Sequence, residues 1–275
     1  VTTPSTLAAP ARQSRAGRRA GGNLLLGGLG FATFLLLMEA VPRAGIVSQE
    51  YLPPLSRITG ALAELATEAA FWTALGDTVR GWFLGLAIAV TLGVAVGFVV
   101  GTVPVLREFT ASTIEFLRPI PSVALIPLAV LVFGTDLRSV LLLVGYAAFW
   151  QVLVQVLYGV QDVDPVAAET ARTFGLGRWA RIRYVTWPTA LPYVLTGVRL
   201  AAAVALILAI TAELVIGAPG LGNEIGVAQS GGAVARMYAL VVVTGLLGVA
   251  VNALARRLER WLLSWHPSLR REAAA

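Results

Sequence analysis

The sequence predicts an all-α, polytopic membrane protein with about six transmembrane helices. Two observations carry that prediction. Of the 275 residues, 57% are hydrophobic and only 13% charged, roughly half the charged share of an ordinary soluble domain. The apolar residues also run in blocks of about 17–25, which at about 1.5 Å per residue match a hydrocarbon core of about 30 Å. Too little polar sequence separates the blocks for a second folded domain, so a single membrane domain is expected.

Residues 1–21 are rich in Pro, Ser, Ala and Arg, and they read as a disordered cytoplasmic tail. The first span follows at Asn23–Val41. It is too long for the apolar core of a signal peptide and lacks a small-residue cleavage pattern. Five more spans are expected at Thr78–Gly101, Phe116–Phe133, Ser139–Val160, Ala190–Leu214 and Tyr238–Leu254. Pro119, Pro121 and Pro127 break or bend the third. Between the first two spans, Ser56 is placed to cap a short surface helix with Ile58, Leu62, Leu65, Ala69 and Trp72 on one side. The membrane-embedded region is then 22–260, with a polar loop at 161–188, and 261–275 forms a second cytoplasmic tail. From the opening valine, the true start is expected to have been trimmed or to lie upstream.

All 21 basic residues are arginine. Six spans put both termini on one side, and that side holds fifteen arginines in its tails and loops against four on the other. Positive charge favours the cytoplasm, so both ends are placed inside. The net charge of +6 does not point to nucleic acid, because the arginines flank apolar blocks and form no stripe with interleaved aromatics. Cysteine is absent, which excludes disulfides and thiol chemistry. His266 is the single histidine and cannot build a multi-histidine metal site. No paired carboxylates, histidine cluster or nucleophile–base pair sits at membrane depth. No catalytic residue, metal or cofactor is therefore assigned to the chain.

Lipid supplies no hydrophobic drive between helices, so small residues must let backbones approach. The second span carries one at every fourth position: Gly81, Gly85, Ala89, Gly93, Gly97 and Gly101. The fifth repeats the device with Gly197, Ala201, Ala205 and Ala209. Such a ridge serves packing, or a surface that slides during a conformational cycle.

The longest polar loop lies between the fourth and fifth spans. Asp164 stands at an N-cap and Pro165 at N1, Glu169 falls early in the helix, and Gly175 can end it in a left-handed conformation. A second short stretch with Arg178, Arg181 and Arg183 leads through Pro188 back into the membrane. Glu169, Ala171, Gly175, Val185 and Pro188 fill the pattern of the EAA signature, and the chain resembles the permease subunits of ABC importers. Thr170 and Trp187 depart from the usual alanine and leucine. L117-R-P-I-P-S-V-A-L-I-P-L-A-V-L-V-F-G134, T196-G-V-R-L, A212-E-L and G220-L-G are similar to the nitrate, taurine and alkanesulfonate branch.

The resemblance implies a type I (MetI-like) permease fold in the bacterial inner membrane. It also implies a homodimer of permease chains, two ATPase subunits on the cytoplasmic side and an extracytoplasmic substrate-binding protein. Asp164, Pro165, Glu169, Thr170, Ala171, Phe174, Gly175 and Pro188 would couple the chain to the ATPases. ATP and Mg would be bound by those partners. Sequence physics agrees: a Walker A loop needs a lysine on the phosphates, and this chain has none.

Ionisable groups within spans are functional candidates. Arg199 and Glu213 are expected about 21 Å apart along the fifth span. Arg199 would offer charge to an anion or pair with a neighbour. Gln151, Gln155 and Tyr158 share one side of the fourth span and fit either interhelical hydrogen bonds or a polar pathway. The loop G217-A-P-G-L-G-N-E-I-G226 is expected to be an irregular outer gate. The function expected is import of a small anion such as a sulfonate, taurine or nitrate, with a vitamin, vitamin precursor or aromatic acid as the other cargo. An ATPase-independent secondary transporter or channel is the competing class, and a membrane-embedded enzyme a third.

Overall fold

The computed structural model describes residues 16–264, with side chains from 26 onward. Most of the two expected tails, His266 included, lies outside the described residues. The described residues form helices joined by turns, with no strand among them. Five of their helices are long and apolar enough to cross a bilayer, or six if one bent pair counts as a span. The chain divides into two compact units, Val1–Ala61 and Leu62–Ala275.

In the first unit, helix α1 (Ala16–Arg43) begins inside the expected disordered tail, so residues 16–21 are helical. Leu26, Leu29, Phe31 and Phe34 are exposed on it, a surface that only lipid or another apolar partner suits. Ser56 lies in the first turn of α2 (Leu55–Leu65) and is not its cap. Its backbone N–H donates instead to Glu39 at 2.9 Å, and Glu39 also pairs with Arg43 at 2.6 Å.

The expected surface helix stops at Leu65, and Ala69 and Trp72 belong to the next element, α3 (Ala69–Thr102). The break falls at 66–68, where Trp72 Nε1 donates to the Ala66 carbonyl at 2.9 Å. The third span also differs from expectation. Helix α4 (Pro104–Leu117) starts directly after α3, a single 3₁₀ turn follows at Ser122–Leu125, and α5 (Ile126–Phe133) leaves at a bend of 82°. Pro121 has no N–H to offer the Leu117 carbonyl four residues back. The Tyr146 hydroxyl supplies that donor from α6 (Leu137–Gln161) at 2.7 Å and fixes the corner.

The core is built around α6. Val144, Val152, Val156 and Val160 of α6 lie over Gly85, Gly93, Gly97 and Gly101 of α3, matching a four-residue step with a four-residue step. Ala89 and Ala148 are buried at the matching interval. A Cβ on Gly97 would stand 2.8 Å from the Val156 Cβ. The opposite side of α6 meets α9 (Trp187–Ile216), where a Cβ on Gly197 would fall 2.9 Å from the Gln155 Cβ. The Trp82 indole of α3 donates to the Ala202 carbonyl of α9 at 2.9 Å. Helices α10 (Leu221–Ser230) and α11 (Val234–Leu262) complete the unit against α9.

Candidate functional site

Between α6 and α9 the chain forms helix α7 (Pro165–Thr173). The Asp164 carboxylate accepts the Val166 N–H at 2.8 Å, and Pro165 follows at the first helical position. At the other end Gly175 has φ +73°, a conformation that costs a side-chain-bearing residue about 1–2 kcal/mol. Its N–H reaches the Arg172 carbonyl at 2.9 Å, and the Leu176 N–H reaches the Ala171 carbonyl at 3.0 Å. These are the two bonds of a Schellman cap.

Helix α7 is thus defined at both ends by its own residues. Of its side chains only Ala171 is buried. Val166 is 71% exposed and Phe174, just past the helix, 79%, with Glu169 and Thr170 exposed beside them. The pair Val166 and Phe174 stands eight residues apart and Thr170 midway, so the three share one face.

The second short stretch, with Arg178, Arg181 and Arg183, leads through Pro188 into the bundle without a break. Helix α8 (Arg178–Arg181) runs through a π-helical turn at Ile182–Thr186 into α9, giving one rod of 39 residues. Pro188 explains the π turn. Lacking an N–H, it cannot donate to the Tyr184 carbonyl four residues back, and the register slips by one. The Tyr193 hydroxyl donates to Asp162 at 2.8 Å and ties the start of the loop to the rod.

Residues 60–264 match the family of binding-protein-dependent transport system inner membrane components. The chain belongs to that family. It is 31% identical to the taurine transport system permease protein of Escherichia coli (strain K12), across 84% of this chain and 87% of that protein. It is 28% identical to a putative aliphatic sulfonates transport permease protein of Bacillus subtilis (strain 168), across 86% of each. A chain of the MetNI methionine ABC transporter in an inward facing conformation matches with TM-score 0.60 at 19% identity, over 70% of this chain and 95% of that one. A chain of a bacterial alginate ABC transporter matches with TM-score 0.61 at 15% identity, over 90% and 99%.

The fold is therefore that of a type I importer permease. The protein is a multi-pass inner-membrane permease subunit of an ATP-driven importer, and ATP hydrolysis belongs to separate subunits.

Within this permease the five candidate pathway residues do not gather at one site. Arg199 lies on the exposed side of α9 and pairs with Glu259 of α11 at 3.4 Å. It stands at a groove of about 480 Å³ that Thr211, Thr244 and Asn252 also line. Gln155 packs over Gly197, one turn from Gln151. Tyr158 faces a different, open cavity of about 780 Å³ with Arg107, Glu115 and Arg118.

Glu213 is only 1% exposed. Its Oε2 accepts from the Thr78 hydroxyl of α3 at 2.8 Å and from the Gly222 N–H of α10 at 3.0 Å. The Leu221 N–H in turn donates to Thr78 at 2.8 Å. Glu213 thus caps the N-terminus of α10 from inside the bundle; its carboxylate fills the space that a side chain at Gly220 would need, and the Ile210 carbonyl and the Glu213 Cβ fill that at Gly222. The expected irregular gate is correspondingly short: residues 217–220 are a turn, and Leu221–Ser230 is helical.

A second fastening was not expected from the sequence. Arg236 of α11 makes two bonds of 2.7 Å to Glu68, before α3, and approaches Glu224 of α10 at 3.6 Å. Hydrogen bonds from Arg236 hold the Glu68 carboxyl below its ordinary range. Sequence offered a signal for the first fastening, a glutamate followed by closely spaced glycines. It offered none for the second, because the three partners lie in separate segments.

Proposed function

We propose that this permease works as a homodimer, served by two ATPase subunits and one substrate-binding protein, and that it imports a small anion of the sulfonate class. The cargo reading is supported by two relatives whose names specify taurine and aliphatic sulfonates. The α7 end is the cytoplasmic side, as the arginine count favours, and both termini lie there. ATP and Mg are held by the ATPase subunits.

One observation carries the mechanism: α7 is capped at both ends and leaves Val166, Glu169, Thr170 and Phe174 open to a partner. A stiff, amphipathic protrusion of that kind seats in a groove, with the apolar pair as anchors. Closure of the ATPases on ATP moves α7. The rod from Arg178 to Ile216 carries that displacement into the bundle. In the dimer the exposed side of α9 with Arg199 faces the pathway, where its charge meets the anion.

The test is Gly175→Val with Glu169→Ala beside it, in the complex assembled with its ATPase and binding protein. Both variants should assemble, and both should lose most of the ATP hydrolysis that loaded binding protein stimulates. Unchanged stimulation in both would overturn the coupling role of α7.

A further inference from the structure

The loop that carries α7 holds three arginines that its exposed face does not use. Arg172, Arg178 and Arg181 line a cavity of about 290 Å³, together with Gly101, Thr102 and Thr186. No carboxylate lines that cavity. Among the described residues none of the three arginines makes an ion pair. Arg181 Nε is buried and has no acceptor. Burying such a donor unpaired is unfavourable, so the cavity is built to receive an acceptor from elsewhere. Three guanidinium forks around one small space match a tetrahedral oxyanion such as a phosphate.

Its depth in the membrane identifies the carrier of that oxyanion. Gly101 and Thr102 end the α3 span and Val160 nearly ends α6, so the cavity lies at headgroup level. It shares Thr102, Arg178 and Ile182 with an apolar groove of about 490 Å³ that runs up α3 past Phe98 and Val94. Trp179 and Trp187 border the groove, and Trp187 packs against Phe98 with ring centroids 5.3 Å apart. Tryptophan at that depth is the residue type that marks the membrane–water boundary. An arginine pocket opening into an apolar groove at this level has the two halves of a phospholipid site.

We propose that the cavity binds one anionic phospholipid, with its phosphate on Arg172, Arg178 and Arg181 and an acyl chain along α3. Arg172 and Ala168 are part of α7, so the lipid fastens the loop from behind while its outer face stays free.

The experiment uses the purified chain in phosphatidylcholine vesicles and reads tryptophan fluorescence. Brominated phosphatidylglycerol is compared with brominated phosphatidylcholine as quencher. The anionic lipid should quench with a relative affinity roughly tenfold higher. That preference should shrink in W187F, disappear in R178Q/R181Q and largely persist in the charge-keeping R178K/R181K. Equal quenching by the two lipids in the unaltered chain would overturn the proposal without any variant. A preference that survives R178Q/R181Q would place it elsewhere on the protein and also overturn it. Inorganic phosphate at matched ionic strength should not displace the lipid. If it did so as well as phosphatidylglycerol does, the site would take a free oxyanion and the lipid assignment would fail.

Discussion

Replacing Gly97 with alanine places one methyl group against a wall that cannot retreat. The added Cβ would lie 2.8 Å from the Val156 Cβ, 2.7 Å from its Cγ1 and 3.4 Å from the Leu153 carbonyl oxygen. The Cβ of Val156 is fixed to the α6 backbone, so no rotamer change relieves the overlap. Carbon atoms settle at about 3.5–4.0 Å, so α3 and α6 must part locally by nearly an ångström. Overpacking of this kind costs about 1–3 kcal/mol. The gain in helix propensity of alanine over glycine, about 0.8–1.0 kcal/mol, offsets only part of it.

Gly145→Ala supplies the control. Nothing lies within 4 Å of the Cβ it adds, so it carries the propensity gain alone. The chain has seven tryptophans and no cysteine, which makes intrinsic fluorescence melting in detergent the natural assay. A net loss near 1 kcal/mol lowers the midpoint by roughly 2–4 °C. The double variant G97A/V156A should recover only part of that, because the Cβ remains. Equal or higher melting of Gly97→Ala, with Gly145→Ala lower, would show that the ridge does not set the spacing of these helices.

Other outcomes follow from the fastenings around α10 and the corner of the third span. Glu213→Ala removes the acceptor of the Gly222 N–H, a loss of about 1–3 kcal/mol, and should speed amide exchange at Leu221 and Gly222 about tenfold or more, whereas Glu213→Gln keeps an oxygen and most of the protection. Because Glu68 is held below its ordinary range, its bond to Arg236 stabilises the fold above the unfolded carboxyl value and is lost as pH falls through the folded one. Amide protection around Glu68, taken relative to the intrinsic exchange rate at each pH, should therefore fall on acidification in the unaltered chain and be low and independent of pH in Glu68→Gln. Tyr146→Phe deprives the Leu117 carbonyl of its side-chain donor and should lower the melting midpoint by the equivalent of about 1 kcal/mol. An unchanged midpoint would mean that water or Ile120 serves that carbonyl as well.

Most spans and the loop helix α7 are legible because they depend on local rules. Asp164, Pro165 and Gly175 act on residues within four positions, and each does what its type dictates. The four-residue step of Gly81 to Gly101 likewise announced a close partner, though only the matching step of valines on α6 says which one. Features that the sequence hides depend on a distant partner or on competing breaks. Trp72 joined α3 because the turn at 66–68 interrupts a pattern that otherwise continues. The third span is bent as its prolines predict, but its first half starts at Pro104, where the sequence is too polar for hydropathy to mark it. Glu213 was identified as a suspect by its charge at membrane depth. Its partner Thr78 lies 135 residues away, beyond the reach of any spacing argument.

The rod that joins the loop to the bundle has a geometric consequence. From Pro188 to Glu213 it rises about 38 Å without a break, and it touches α3, α6, α10 and α11 on the way. The π turn sits just below this stretch, where one ladder bond is already out of step. A hinge there of about 10° swings the Glu213 end by about 6–7 Å, as a door handle travels further than its hinge pin. Because Glu213 grips the first turn of α10, that helix is towed along rather than left behind.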